Sequence, residues 1–337
     1  MVPRGYVAAM GTDGFTLAGT EVEIPALGVG TWALGDAKTW GYGTYDASTS
    51  GDTIREAWAA SIDAGATFFD TAEVYGDGES ERIIGGLLAG DPERAAKVQL
   101  ATKFMPVPWK LNVRSSLLAS LRASLERLGL ERVDLYQIHG PISLRGHGAL
   151  AEALAAAHQE GLVRAVGVSN YSVSETRKFD AALRARGLRL ATNQIEFSLL
   201  RTAPERSGLL ATCRELGVVP LAYSPIGQGR LTGKYSASNP PPKARSFSAH
   251  PMEEVDQVVA ELRRIGEAND GKTPSQVALN WIIAKGAVPI PGAKNRAQAE
   301  ENAGALGWAM GDDDVAALDA VALEGIRSLA NRFWQHG

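Results

Sequence analysis

Eight short runs of β-branched and apolar residues recur between about residues 26 and 302, and most lead into a longer stretch with apolar residues three and four apart. This alternation constrains the fold more than any other feature, because neighbouring parallel strands need crossover connections, and a helix is the usual crossover. The predicted strands are Ala26–Gly30, Ala66–Phe69, Val98–Thr102, Val133–Ile138, Ala165–Val168, Ala191–Gln194, Val218–Ala222 and Val288–Ile290. The predicted helices are Asp52–Asp63, Glu79–Leu88, Val113–Leu128, Leu150–Glu160, Ser174–Ala185 and Pro204–Leu216, each with charges opposite its apolar stripe. Eight strands in this pattern predict closure into an α/β fold, a single (β/α)8 TIM barrel. Ahead of it, Phe15-Thr16-Leu17 and Thr20–Ile24 flank Ala18-Gly19 and predict a β-hairpin cap plugging the barrel bottom. The 337 residues, 45% of them hydrophobic, suffice for a barrel of about 250 residues or more.

Beyond the seventh strand the pattern loosens. Gly227–Ser248 is rich in Gly, Pro and Ser and contains Pro240-Pro241-Pro242. A loop that long in a compact domain is usually functional or disordered. Helicity returns near Glu253, and Asp313–Leu323 predicts a final helix, leaving a tail whose aromatics Phe333 and Trp334 are placed to fold back over the barrel mouth.

A net charge of −4 with mixed acids and bases supplies no basic field for nucleic acid and no polybasic membrane anchor. No apolar run approaches the roughly 20 residues needed to span a bilayer. Cys213 is the single cysteine, so a disulfide within the chain and a cysteine-based metal cluster are both excluded, and no metal is expected. The expected setting is a reducing cytoplasm, or a chloroplast or other organelle if Met1–Gly5 is what remains after removal of a transit peptide. The expected partner is a small molecule, and the expected state a monomer.

In a barrel of this kind the chemistry collects where strands end. The second strand runs into Asp70-Thr71-Ala72-Glu73-Val74-Tyr75-Gly76, the third ends at Thr102-Lys103-Phe104, and the fourth at Ile138-His139-Gly140-Pro141. An acid, a phenol, an amine and an imidazole would then share one rim. Taken singly, each has a bland explanation: an Asp–Lys pair is commonly structural, and a His or Tyr at a strand end is commonly packing.

Together these segments resemble the aldo-keto reductases in order and spacing, from Gly28-Val29-Gly30-Thr31-Trp32 to Glu301-Asn302. The resemblance implies one domain over 1–337, with a core of about 26–323 and a tail over 324–337. It also implies NADPH-dependent reduction of an aldehyde or ketone by an Asp-Tyr-Lys-His tetrad, here Asp70, Tyr75, Lys103 and His139. In that scheme Lys103 lowers the pKa of Tyr75, the proton donor, Asp70 holds Lys103 charged, and His139 orients the carbonyl. The pattern is nearer to plant and bacterial pyridoxal-reductase-like members than to aldose reductases.

The same resemblance assigns NADP(H) to residues after the later strands. Ser169, Asn170 and Gln194 would bind the nicotinamide carboxamide, although Ser169-Asn170 can also be read as a helix N-cap. Tyr223 would stack on the ring, with Ser224, Pro225, Ile226, Gln228, Gly229, Leu231 and Lys234 around the pyrophosphate. Gly292, Lys294, Arg296, Gln298, Glu301 and Asn302 would hold the adenosine end, with Lys294 and Arg296 on the 2′-phosphate. Thr31, Trp32 and Asp70 complete the cofactor set.

One departure from the family pattern is Gly140, where many relatives have Trp; a wider substrate pocket is expected there, with Trp40, Tyr42 and Trp109 as replacement walls. Two other functions fit parts of the pattern. One is an NADPH-binding redox sensor or regulatory partner, as in the potassium-channel β subunits; the other is a Schiff-base aldolase acting through Lys103.

Overall fold

The computed structural model describes residues 14–38, 50–243, 245, 247, 249–325 and 333–337. Ten strands are named among them: β1 (Phe15–Thr16), β2 (Glu23–Ile24), β3 (Gly28–Gly30), β4 (Phe68–Asp70), β5 (Gln99–Phe104), β6 (Val133–Ile138), β7 (Val163–Ser169), β8 (Leu190–Glu196), β9 (Val219–Tyr223) and β10 (Val288–Pro289). The helices are α1 (Gly51–Asp63), α2 (Glu79–Gly90), α3 (Pro92–Ala95), α4 (Val113–Leu128), α5 (His147–Gln159), α6 (Val173–Arg184), α7 (Ala203–Arg206), α8 (Leu209–Leu216), α9 (Met252–Ala268), α10 (Pro274–Ala284), α11 (Arg296–Ala303) and α12 (Asp312–Val321).

Strands β3 to β10 pair in parallel in chain order. The ring is completed where the Gly30 amide donates to the Pro291 carbonyl at 3.0 Å. That close approach needs glycine: a Cβ on Gly30 would meet the Ile290 carbonyl oxygen at 2.7 Å. The predicted (β/α)8 barrel is therefore present. The antiparallel pair β1–β2 seals its bottom, with Leu17, Val22 and Ile24 packed in one cluster with the inward residues Phe68, Ala101, Leu135, Ala191 and Leu221.

Helix starts follow local chemistry. Ser50 with Thr53, Ser172 with Glu175 and Thr273 with Gln276 form capping boxes for α1, α6 and α10. The stretch predicted as one helix over Pro204–Leu216 is instead α7 and α8, because Gly208 takes a left-handed φ of 82° between them. Helix α10 escaped the prediction. Helix α10 is buried over Val277–Ile283, Asn280 included, so its sequence lacks the charged face that marks the other helices. Among the described residues, no helix is long and apolar enough to cross a membrane.

Candidate active site

Strands β4, β5, β7, β8 and β9 run slightly further than predicted at their C-terminal ends, so Asp70, Lys103, Ser169 and Tyr223, like Gln194, are strand residues held by the ladder. Asp70 and Lys103 are buried, at 1% and 0% exposure. Lys103 Nζ donates to Asp70 Oδ2 at 2.5 Å, to the Thr71 carbonyl at 2.8 Å and to the Tyr75 hydroxyl at 3.2 Å. All three ammonium hydrogens are thereby used. The second Asp70 oxygen accepts from Gln137 Nε2 at 3.1 Å and Gln194 Nε2 at 2.8 Å. The His139 ring meets the Tyr75 ring edge-on with centroids 5.7 Å apart. The four tetrad positions thus share one constellation at the mouth.

Its electrostatics differ from the sequence-based expectation in one respect. Burial pushes the Tyr75 phenol above its ordinary 10.0, and the Lys103 charge offsets that only in part. Burial opposes the Lys103 charge, but Asp70 and Tyr75 together outweigh it and hold the amine above its ordinary value. Burial, followed by the Lys103 charge, drives His139 well below 6.5, so its imidazole is neutral at neutral pH. A lysine held charged by three partners is no free nucleophile, which argues against the aldolase alternative.

The rim opens into a cavity of about 790 Å³ lined by Asp70, Tyr75 and His139 at one end and by Lys294, Gln298, Glu301 and Asn302 at the other. Of the predicted cofactor residues it also includes Thr31, Trp32, Ser169, Asn170, Gln194, Tyr223, Ser224, Pro225, Ile226, Gln228, Gly229, Lys234 and Gly292. Ser169 and Asn170 are not a helix cap, since Ser172 caps α6. Asn170 holds a left-handed φ of 64°, accepts from the Tyr223 hydroxyl at 3.0 Å and donates to Ser169 Oγ at 3.2 Å.

Two cofactor expectations are corrected. Leu231 is fully buried in the core rather than on the cavity. Arg296 does not line the cavity; its guanidinium pairs with Glu300 at 2.7 Å on the exposed face of α11. Glutamate four residues on captures it, an ordinary helix-surface pairing.

The substrate side is also corrected. Trp109 is 77% exposed and off the cavity. Trp40 and Tyr42 lie outside the described residues. The space at Gly140 is filled by the tail, because the Trp334 indole lies against it and meets the His139 ring at 5.5 Å. The pocket is therefore not widened there. Phe333, the other tail aromatic, points to solvent at 77% exposure.

Sequence reasoning missed Met105, Arg245, Phe247 and Ser275, which also line the cavity. Phe247 meets both Trp32 and Tyr223 edge-on, at 5.8 and 5.7 Å. Its loop is strapped down by buried Arg230, whose guanidinium donates to the carbonyls of Gly227, Arg245 and Phe247. Only an arginine surrounded by a Gly- and Pro-rich loop hinted at this.

The cavity suits a dinucleotide. Its length runs from an apolar, tyrosine-floored end to a lysine at the N-terminal side of α11, and its volume is within the usual range for small-molecule sites. Ser275 Oγ and Gln228 Nε2 are buried on its wall without a partner among the described residues. Unsatisfied polar atoms of this kind call for a polar ligand. Among the described residues, no group of three or more His, Cys, Asp or Glu could hold a metal ion.

Comparison with known proteins agrees with this geometry. The profile of the aldo/keto reductase family matches residues 26–323. The chain is 36% identical over 327 residues to chloroplastic pyridoxal reductase of Arabidopsis thaliana, covering 93% of this chain and 87% of that protein. Among solved structures, the glycerol dehydrogenase AKR11B4 of Gluconobacter oxydans superposes with a TM-score of 0.78 at 28% identity, covering 95% and 99% of the two chains. The Bombyx mori aldo-keto reductase AKR2E4, in complex with NADP, superposes with a TM-score of 0.73 at 25% identity over 97% and 99%.

Proposed function

Given that the chain belongs to the aldo/keto reductase family and is an NADP-dependent oxidoreductase, we propose that it reduces aldehydes, and ketones more slowly, with Tyr75 as the general acid. The observation that carries this is the Tyr75 hydroxyl 3.2 Å from a buried ammonium, beside a neutral His139, at the floor of the cavity.

Ser169, Asn170, Gln194 and Tyr223 would hold the nicotinamide end of NADPH, Gly229 and Lys234 the pyrophosphate, and Lys294, Gln298 and Asn302 the adenosine end. When bound, NADPH supplies a hydride. The protein's own residues supply the proton and the field. His139, neutral, donates a hydrogen bond that fixes the carbonyl oxygen beside Tyr75. As the carbonyl carbon gains the hydride, its oxygen gains negative charge and takes the phenolic proton, leaving an alcohol and a Tyr75 phenolate. Lys103 stabilises that phenolate, and water later returns the proton. The raised Tyr75 pKa keeps the proton in place at neutral pH, and the Lys103 charge limits how costly its release becomes.

Aldehydes precede ketones because a second carbon substituent crowds the space between Trp32, Tyr75 and His139. The test is NADPH oxidation with a panel of aromatic and aliphatic aldehydes and matched ketones, pyridoxal among them. Carbonyl-dependent turnover, fastest with aldehydes, is expected. No turnover above background would leave a nucleotide-binding sensor as the better account.

A further inference from the structure

We propose that Gln137, oriented by Thr192, is a positioning residue for the reduction: its amide sets the Asp70 carboxylate, and through it the direction in which Lys103 presents its ammonium to Tyr75. This rests on the carbonyl-reductase reading and extends its machinery one layer deeper into the barrel.

The first observation is the direction of the hydrogen bonds. Gln137 on β6 and Thr192 on β8 are both fully buried. Gln137 Nε2 donates to Asp70 Oδ1 at 3.1 Å, and Gln137 Oε1 accepts from the Thr192 hydroxyl at 3.2 Å. A carboxylate only accepts, so the amide must turn Nε2 toward Asp70, and the Thr192 proton locks that choice by taking the other end. Asp70 Oδ1 is thereby fixed by Gln137 and by Gln194, while Oδ2 meets Lys103 at 2.5 Å. With Gln137 gone, one of the two amides that fix Oδ1 is lost and the carboxylate can turn about its Cβ–Cγ bond. The ammonium that follows it then loses its line to the Tyr75 hydroxyl, 3.2 Å away.

The second observation is that the backbone is shaped around this pair. A buried polar layer is costly unless each member is satisfied, and the layer beneath it is apolar, with Leu135 and Leu221. Gly167 on β7 pairs with Gln137 on one side and with Thr192 on the other. A Cβ there would collide with Thr192 Oγ1 and lie 3.0 Å from Gln137 Cγ. At the same place the register slips by one residue: Val166 pairs with Leu190, but Gly167 pairs with Thr192. The extra residue, Ala191, joins the apolar plug, and Thr192 faces inward as well, onto Gln137. A bulge beside a reacting centre is a known way to re-aim a side chain. An apolar layer needs neither the glycine nor the bulge; the Gln137–Thr192 pair needs both.

The test uses variants whose folding is checked by urea unfolding. Gln137→Met keeps the length of the side chain and removes both bonds; Thr192→Val keeps its shape and removes the proton that orients the amide. In Gln137→Met, kcat for aldehyde reduction should fall about tenfold to a hundredfold, the scale of a displaced reacting group, with NADPH affinity within a few-fold. Thr192→Val should lower kcat about three- to tenfold and add nothing to Gln137→Met in the double variant. A folded Gln137→Met with wild-type kcat, or full additivity of the two, overturns the proposal.

Gln137→Glu gives a signature that packing alone does not produce, and it carries the test with Thr192→Val should Gln137→Met not fold. The titratable groups around that position are Asp70 from β4, Lys103 from β5, which pairs directly with Gln137, the Tyr75 phenol beyond Lys103, and His139 at the end of β6; Gly167 and Thr192 on β7 and β8 do not titrate. The new carboxyl donates to Asp70 only while protonated, and two acids sharing a site raise the pKa of one. Its kcat should therefore be near that of the wild type at about pH 6 and fall toward about pH 9, whereas Gln137→Met stays low and level. A Gln137→Glu profile level at the wild-type value overturns the proposal. Should the wild type reduce no aldehyde, the carbonyl-reductase reading falls, and the positioning claim is judged by the nitrogen NMR signal of the Lys103 ammonium, assigned by its loss in Lys103→Met. That signal should shift in Thr192→Val, which does not touch Lys103; an unchanged signal overturns the claim.

Discussion

Lys103 Nζ stands between the Asp70 carboxylate, at 2.5 Å, and the Tyr75 hydroxyl, at 3.2 Å, so a single buried ammonium is both the partner of a buried acid and the field on the phenol. Its two roles predict different failures. Lys103→Met should abolish nearly all turnover and also destabilise the fold by about 3–5 kcal/mol, because the Asp70 charge is left buried without its cation. Asp70→Asn added to Lys103→Met should restore part of the stability, measured by urea unfolding, and none of the turnover. Recovery of turnover in the double variant would show that Lys103 serves only to neutralise Asp70.

The pH dependence follows from the directions of the shifts. Tyr75 donates when protonated, and its pKa lies above the ordinary 10.0, so reduction should persist as pH rises and fall only beyond the usual tyrosine range. His139 acts neutral, and its pKa lies well below 6.5, so the ordinary histidine range should produce no acid limb. The expected profile of kcat, measured with saturating NADPH, is flat over about pH 6–9. A bell centred near neutrality would mean that one of these two groups titrates where its surroundings do not place it.

Lys294 lines the cavity while Arg296 pairs with Glu300, so the proposed reading places nucleotide preference on Lys294. Lys294→Met should weaken NADPH by about tenfold to a hundredfold, the worth of a charge-assisted contact, and NADH only a few-fold. Arg296→Ala should change neither by more than a few-fold. Titration of the purified variants with both nucleotides decides it, and a larger loss in Arg296→Ala would place the 2′-phosphate on the other side of α11.

The barrel was legible because its strands and most of its helices announce themselves by period, and Val133–Ile138 and Val113–Leu128 were placed to the residue. The tetrad was legible because three strand ends present their polar residues in order. What the sequence concealed is of three kinds. Helix α10 is buried over most of its length and has no charged face to mark its period. Arg296 looked like a phosphate ligand because the competing Glu300 matters only once α11 exists. The replacement wall is expected on nearby loops, at Trp40, Tyr42 and Trp109; the tail is expected over the mouth and Trp334 does lie there, but its seat on Gly140 is a contact no local pattern encodes.

The most direct test of the central claim is Tyr75→Phe, which keeps the ring and its packing and removes only the hydroxyl. General acid catalysis is worth about 10²–10⁴-fold, so kcat for aldehyde reduction should fall by at least that order while NADPH affinity stays within a few-fold. The comparison is made with deuterated NADPH, so that an isotope effect certifies hydride transfer as rate-limiting in the wild type. A Tyr75→Phe enzyme with near-wild-type kcat under that condition would contradict the account and pass the proton to His139.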